Sequence, residues 1–257
     1  MGQDVRSPRG PRCIALVGPF QSGKTTLLEA ILARTGAITR AGSVDAGTSV
    51  GDASSEARRH KMGVGLTAVT TNFMGDSYTF IDCPGSIEFV HDMRAALPAV
   101  DAAIVVCEAD EKKLPQLQII LRELEELGIP RFLFLNKIDR ANKRIRETLA
   151  TLQPASRIPL VLRQIPIWNG DLIEGFVDLA LERAFVYREH KASEVMTLEG
   201  GNLDREKEAR FSMLEKLADH DDALIMQIFR DAVRAGPDGH FIELVEFLDR
   251  LLRRDRR

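Results

Sequence analysis

Three adjoining segments restrict this chain more than any others: Cys13-Ile14-Ala15-Leu16-Val17, then Gly18-Pro19-Phe20-Gln21-Ser22-Gly23-Lys24-Thr25, then Thr26-Leu27-Leu28-Glu29-Ala30-Ile31-Leu32. The first is a short buried-strand pattern, and the last carries apolar residues at helical spacing. The middle segment matches G-x-x-x-x-G-K-S/T in full. A strand, a glycine-bearing loop and a helix N-terminus form an anion cradle, because backbone N–H groups converge and the helix dipole favours negative charge. Gly18, Gln21, Ser22, Gly23, Lys24, Thr25 and Thr26 are the candidate phosphate-binding residues. Lys24 would reach the terminal phosphates, where it also serves catalysis, and the Thr25 hydroxyl would sit on Mg²⁺. The expected ligand is a nucleoside triphosphate.

Strand-like runs at Ile14–Val17, Thr67–Phe73, Tyr78–Ile81, Ala102–Cys107 and Phe132–Leu135 extend this beginning. Met74-Gly75-Asp76-Ser77 reads as a hairpin turn, which makes one pair antiparallel. The other strands are separated by helical patterns, the clearest being Leu117, Ile120, Leu121, Leu124 and Leu127. The fold class is therefore α/β: a P-loop NTPase with a mostly parallel sheet flanked by helices. Residues 36–65 have little periodicity and much Gly, Ser, Thr and Asp, the mark of a functional or mobile loop. After Pro166 the pattern changes. Ile167 to Tyr187 alternates like strands around a Trp168-Asn169-Gly170-Asp171 turn, and Lys191 to Arg205 reads as a polar loop. Amphipathic helices are expected around Glu208–Phe229 and His240–Leu252.

Two further motifs select the nucleotide. Asp82-Cys83-Pro84-Gly85 follows a strand, so Asp82 can hold Mg²⁺, usually through water, and the Gly85 N–H can approach the γ-phosphate. Asn136-Lys137-Ile138-Asp139 also follows a strand. The Asp139 carboxylate can accept from guanine N1–H and the exocyclic amine, a pair adenine does not offer. Asn136 can meet the guanine edge and brace the phosphate loop, while the Lys137 stem can lie along the base. An unpaired carboxylate facing adenine would be costly, so such a site discriminates. The ligand is narrowed to GTP or GDP, with Mg²⁺ as cofactor.

With these motifs the chain resembles a translational GTPase, and within that family the G domain of bacterial elongation factor G, from about Arg12 to about Asp231. The resemblance includes Gly23-Lys24-Thr25-Thr26, Thr35-Gly36, Asp82 to Phe89 and Asn136 to Arg140. Gly175-Phe176-Val177-Asp178-Leu179 is similar to the strand entering that family's insert subdomain, and the helix near Phe211–Phe229 to the insert's helices. The implied organisation is a disordered lead-in at 1–11 and a GTP-binding domain at 12–166. A small insert-like α+β subdomain follows at 167–235, then a C-terminal helix at 236–257 packing on the GTP-binding domain. The resemblance implies the ribosome or another translation component as partner.

Four departures qualify it. Ser86 stands where the family has a histidine that orients the attacking water, and His91 lies five residues on. Met62-Gly63-Val64-Gly65 aligns with Arg-Gly-Ile-Thr, so the threonine that holds Mg²⁺ and γ-phosphate in relatives is Gly65 here, with Thr67 two residues later. No Ser-Ala motif closes the guanine pocket; Ala235-Gly236-Pro237-Asp238-Gly239 stands in for that strand and loop, and the last core strand is a candidate for absence. The chain also ends where relatives continue into a β-barrel and further domains, so it is not expected to drive translocation alone. The leading expectation is a GTPase that hydrolyses GTP slowly or only with a partner. The alternative is a catalytically inactive GTP-sensing or interaction module, and a third is a structural remnant without nucleotide.

Bulk properties fit this picture. An apolar fraction of 44% supports a core, and a net charge of −3 supplies no field to recruit DNA. Three cysteines without metal-ligand spacing suit a reducing cytosol, and no run approaches the ~18 apolar residues of a membrane span. A cytoplasmic location is expected; the oligomeric state is not fixed by the sequence.

Overall fold

β1 (Arg12–Val17) runs at the centre of a five-stranded sheet of order β2-β3-β1-β4-β5. It pairs in parallel with β3 (Asp76–Asp82) on one side and β4 (Ala102–Cys107) on the other, and β5 (Arg131–Leu135) lies beyond β4, also parallel. β2 (Thr67–Phe73) is antiparallel to β3 because a two-residue turn at Met74-Gly75 joins them. The parallel pairs need crossovers, supplied by helices α1 (Lys24–Thr35), α2 (Val90–Ala96) and α3 (Leu114–Glu126). Covering helices explain why Ala15, Leu16, Val17, Val105, Val106 and Cys107 are all buried, as continuous apolar runs. Leu28 and Leu32 of α1 pack with Leu16 and Phe80 in this core.

The computed structural model describes residues 12–51, 63, 65–140, 145–188, 193–197 and 201–218. These divide into two compact units, falling within Met1–Arg157 and Ile158–Arg257. The expected lead-in at 1–11, Met62 and Val64, residues 235–239 and the expected helix at 240–252 lie outside the described residues.

α3 shows how far a periodic pattern can be trusted. Leu117, Ile120, Leu121 and Leu124 are buried as their spacing predicts, but Leu127 is half exposed. The helix stops at Glu126. Gly128 N–H donates to Glu125 O at 3.0 Å and Ile129 N–H to Leu124 O at 2.9 Å, the paired bonds of a Schellman stop. Ile129 is buried instead of Leu127. Helix α4 (Ile145–Leu152) follows β5, which is the sheet's edge strand among the described residues and exposes Phe132 and Phe134.

The second unit is built on an antiparallel sheet in chain order: β6 (Gln164–Asn169), β7 (Leu172–Asp178), β8 (Arg183–Val186) and β9 (Glu194–Met196). Helix α5 (Gly201–Ala218) contributes Ala209 and Met213 to a cluster with Val177, Leu179 and Ala184. The polar loop expected over Lys191 to Arg205 is corrected here, because it contains β9 and the first turns of α5. β9 is held by backbone pairing to β8, and all three of its side chains are exposed, so it leaves no alternating pattern to read. α5 begins earlier than its apolar residues suggest, and the expected continuation to Phe229 lies outside the described residues.

Candidate nucleotide site

β1, β3, β4 and β5 all end at one edge of the sheet, and the loops that follow carry the motifs, as expected for a ligand site at the carboxyl ends of parallel strands. After β1 the chain turns through Gly18 to Gly23, with Ser22 N–H donating to Pro19 O at 3.2 Å, and α1 starts at Lys24. Gly23 has φ +97°, which favours glycine, and a Cβ there would lie 2.3 Å from Asn136 Nδ2, so a larger residue would push that amide aside. Lys24 is 7% exposed, and its Nζ donates to the carbonyls of Gly18 and Pro19 at 3.1 Å each. Burial lowers its pKa to about 8, against an opposing pull from Asp82. The Ser22 hydroxyl is buried without a protein partner.

Asp82 closes β3 and is also buried. Its Oδ2 accepts from Thr25 Oγ1 at 2.6 Å, while Oδ1 is buried with no protein partner. Burial raises the Asp82 pKa, with the Thr25 hydrogen bond and the Lys24 charge working against it. A threonine hydroxyl touching a carboxylate with an unsatisfied oxygen is an oxygen donor set that fits Mg²⁺. Among the described residues no three His, Cys, Asp or Glu gather to hold a metal, so an ion here would depend on water and ligand oxygens as well. A Cβ on Gly85 would fall 2.3 Å from Lys24 Nζ, which places this backbone against the phosphate-loop lysine. Cys83 is buried and its thiol is pushed up to about 12, chiefly by burial, so it is inert. Ser86 is half-buried with no side-chain cap bond, and His91 is exposed on α2.

The guanine motif is tied to the phosphate loop at two points. Asn136 Nδ2 donates to Ser22 O at 2.8 Å, and Lys137 Nζ donates to Gln21 O at 2.7 Å. Lys137 also pairs with Glu108 at 3.0 Å, and Glu108 pairs in turn with Lys113. Burial pushes the Glu108 carboxyl up, but the hydrogen bonds from Lys113 and Lys137 outweigh it and hold it below the usual range. The Asp139 side chain is 70% exposed, with Arg140 Nε at 3.8 Å.

Gly18, Ser22, Gly23, Lys24, Thr25, Asp82, Gly85, Asn136 and Lys137 therefore converge. Gln21 takes part through its carbonyl, while its side chain and Thr26 are exposed. Gly65 is exposed and a Cβ there would meet open space. The motifs missed Gln116 of α3, whose Nε2 donates to Gly85 O at 2.6 Å and whose Oε1 accepts from Phe20 N–H at 3.3 Å. One amide thus links the phosphate loop to the Asp82–Gly85 loop. Glu108 and Lys113 were missed too. Nothing in the spacing marks these three, because they act through tertiary placement on the loop after β4 and the start of α3.

The family model for the elongation factor Tu GTP binding domain matches residues 10–249. An elongation factor G-like protein of Synechocystis sp. is 37% identical over 220 residues, which cover 86% of this chain and 33% of the relative. A crystal structure of a Thermus thermophilus protein superposes with a TM-score of 0.75 at 29% identity, again covering 86% of this chain and 33% of the other. The chain thus spans about a third of the length of the curated relative it matches. With a P-loop, an aspartate-glycine loop and a guanine motif gathered at the end of one mostly parallel sheet, the chain belongs to the translational GTPases that share the elongation factor Tu GTP binding domain.

Proposed function

We propose that this domain binds GTP and GDP with Mg²⁺ and hydrolyses GTP slowly, or only when a partner completes the site. The observation that carries this reading is a pair of buried, partnerless oxygens, Ser22 Oγ and Asp82 Oδ1, flanking a buried lysine. Orphaned buried polar atoms are rare in folded proteins and call for a partner. Here the polyphosphate and its ion supply one. Lys24 leaves the carbonyls of Gly18 and Pro19 for phosphate oxygens, and the loop N–H groups hold the rest of the chain of phosphates. Thr25 and Asp82 would hold Mg²⁺, which would supply positive charge beside the phosphate oxygens. Asn136, Lys137 and Asp139 hold guanine, and Asp139 exchanges water and Arg140 for the base.

Cleavage requires a water oxygen to attack the γ-phosphorus as the bond to the bridging oxygen breaks, and in this chemistry positioning and charge stabilisation do most of the work. Ser86 cannot orient that water as a histidine does, and Gly65 offers no hydroxyl. Retained phosphate contacts and weakened water positioning support slow or partner-dependent turnover. The same two substitutions favour a second reading, a GTP-sensing or interaction module that never turns over. The proposed partner is the ribosome or another translation component, in the cytoplasm, with the domain scheme 12–166, 167–235 and 236–257.

A fluorescent-GDP titration tests binding. Asp139→Asn should weaken GDP by about 10- to 100-fold, since one acceptor becomes a donor facing a donor. An unchanged affinity, or no saturable binding by the wild type, would overturn the proposal. Single-turnover GTP hydrolysis with and without ribosomes then separates the two readings.

A further inference from the structure

Glu29 takes no part in the nucleotide motifs. It lies on α1 one helical turn after Thr25, and it is 2% exposed. A carboxylate so deeply buried is costly unless hydrogen bonds hold it. Both of its oxygens are engaged: Oε2 accepts from Gly42 N–H at 2.6 Å and Oε1 from Val50 N–H at 2.5 Å. Charge-assisted bonds of this kind are roughly twice as strong as neutral ones.

Those two N–H groups bracket a loop that is already tied internally. Thr48 N–H donates to Ser43 O at 3.0 Å, Ser43 N–H to Thr48 Oγ1 at 3.0 Å, and Gly47 N–H to Val44 O at 3.1 Å. Glu29 therefore fastens a preformed loop at both ends to the helix that begins at the phosphate cradle. Directly after the second fastening, Gly51 runs beside the site. A Cβ on Gly51 would stand 3.8 Å from Thr25 Cγ2 and 3.5 Å from Thr67 Oγ1.

We propose that Glu29 is a positioning residue that clamps the 42–50 loop onto α1, so that the backbone at Gly51 lies against the Thr25 methyl and keeps the Thr25 hydroxyl turned to Asp82, where it would meet Mg²⁺. This rests on the reading above that Thr25 contacts Mg²⁺. Glutamine at this position has one acceptor and one donor, so its amide group would face a backbone N–H and at least one of the two bonds must break. Glu29→Ala removes both.

Backbone amide exchange in the nucleotide-free protein tests the clamp. Gly42 and Val50 should exchange at least about tenfold faster in Glu29→Ala, and at least one of them in the near-isosteric Glu29→Gln, which guards against an alanine variant that fails to fold. Unchanged exchange at both sites in Glu29→Gln overturns the clamp. GDP dissociation tests the positioning role. In excess Mg²⁺, GDP should leave Glu29→Gln roughly five- to tenfold faster than wild type, whereas with EDTA the two should agree within about twofold. Equal acceleration with and without Mg²⁺ would mean general loosening and overturn the role. A wild type that binds no GDP sinks the functional reading and the Mg²⁺ role together, while the exchange data still decide the clamp.

Discussion

Lys24 and Asp82, in the proposed phosphate half of the site, are 7% and 6% exposed, whereas the Asp139 side chain, in the proposed base half, is 70% exposed. The phosphate half grows out of regular structure: the buried end of β1, the first turn of α1 and the last residue of β3 fix its side chains before a ligand arrives. The base half is a loop after an edge strand, tied among the described residues by Asn136 and Lys137 to the phosphate loop, and by the Asn136 N–H to Cys107 O and Lys137 to Glu108. Preorganised groups lose little entropy on binding, and exposed ones must be ordered by the ligand. Phosphates should therefore supply most of the affinity, and the base contact should decide which nucleotide receives it.

Gly23→Ala attacks the join between the halves and should have the largest effect. At φ +97° an alanine carries backbone strain, and its Cβ would displace Asn136 Nδ2, breaking the bond to Ser22 O. The empty variant loop relaxes to relieve this strain, and restoring the cradle on binding then costs up to about 2–3 kcal/mol, or roughly 30- to 150-fold weaker GDP binding by titration. Asn136→Ala loses only the second part, so it should fall short of Gly23→Ala. If the two variants weaken binding equally, the glycine torsion contributes nothing beyond the loss of the Asn136 bond.

A smaller effect isolates the phosphate half by pH. Burial lowers Lys24 from its ordinary 10.5 to about 8, so the nucleotide-free fold is penalised while this lysine is charged. The unfolded chain binds the extra proton between those values, and nucleotide-free stability should rise with pH across that window. Polyphosphate favours the ammonium form, so nucleotide binding above about pH 8 should take up a proton and weaken by up to about tenfold per pH unit. Calorimetry near pH 9 in buffers of different ionisation heat would read that proton directly. Uptake near zero would mean that Lys24 keeps its proton in the empty site, and that the cradle is less dry than its burial implies.

The same contrast explains what the sequence disclosed. Ala102–Cys107 begins and ends where its apolar run does, because a central strand covered by helices needs such a run, whereas Thr67–Phe73, mixed and mostly exposed at the sheet edge, was legible from its β-branched residues and the turn after it. The loop between the first strand and the first helix was equally legible as a loop, since its residues are consecutive and both Gly18 and Gly23 adopt positive φ. The end of the third helix was legible too: Leu127 is its C-cap, and the Gly128 and Ile129 backbone bonds close the last turn where Gly128-Ile129-Pro130 interrupts the pattern. β9 was invisible because backbone pairing holds it and its side chains all face solvent. Glu29, Glu108 and Gln116 sit in unremarkable positions of a helix, a loop and a helix start. Their importance exists only after distant segments are brought together, and pairings of that kind leave no local spacing.

Glu108→Gln probes the base half with the smallest expected change and opposing contributions. Glu108 holds both Lys137 and Lys113, and the Lys113 charge is felt at Lys24. Without the carboxylate, Lys137 keeps its bond to Gln21 O but loses its lateral restraint, so GDP should dissociate about two- to threefold faster. Two lysines would also lose their counter-ion beside a site for an anion, so association should quicken by a similar factor at low salt and return to wild type as salt screens the charge. The equilibrium constant would then hardly move while both rates rise. Stopped-flow measurement over a salt series separates the terms. A slower association would show that Glu108 orders the loop rather than masking its charge, and unchanged rates would show that the Asn136 and Lys137 bonds to the phosphate loop hold the base half without Glu108.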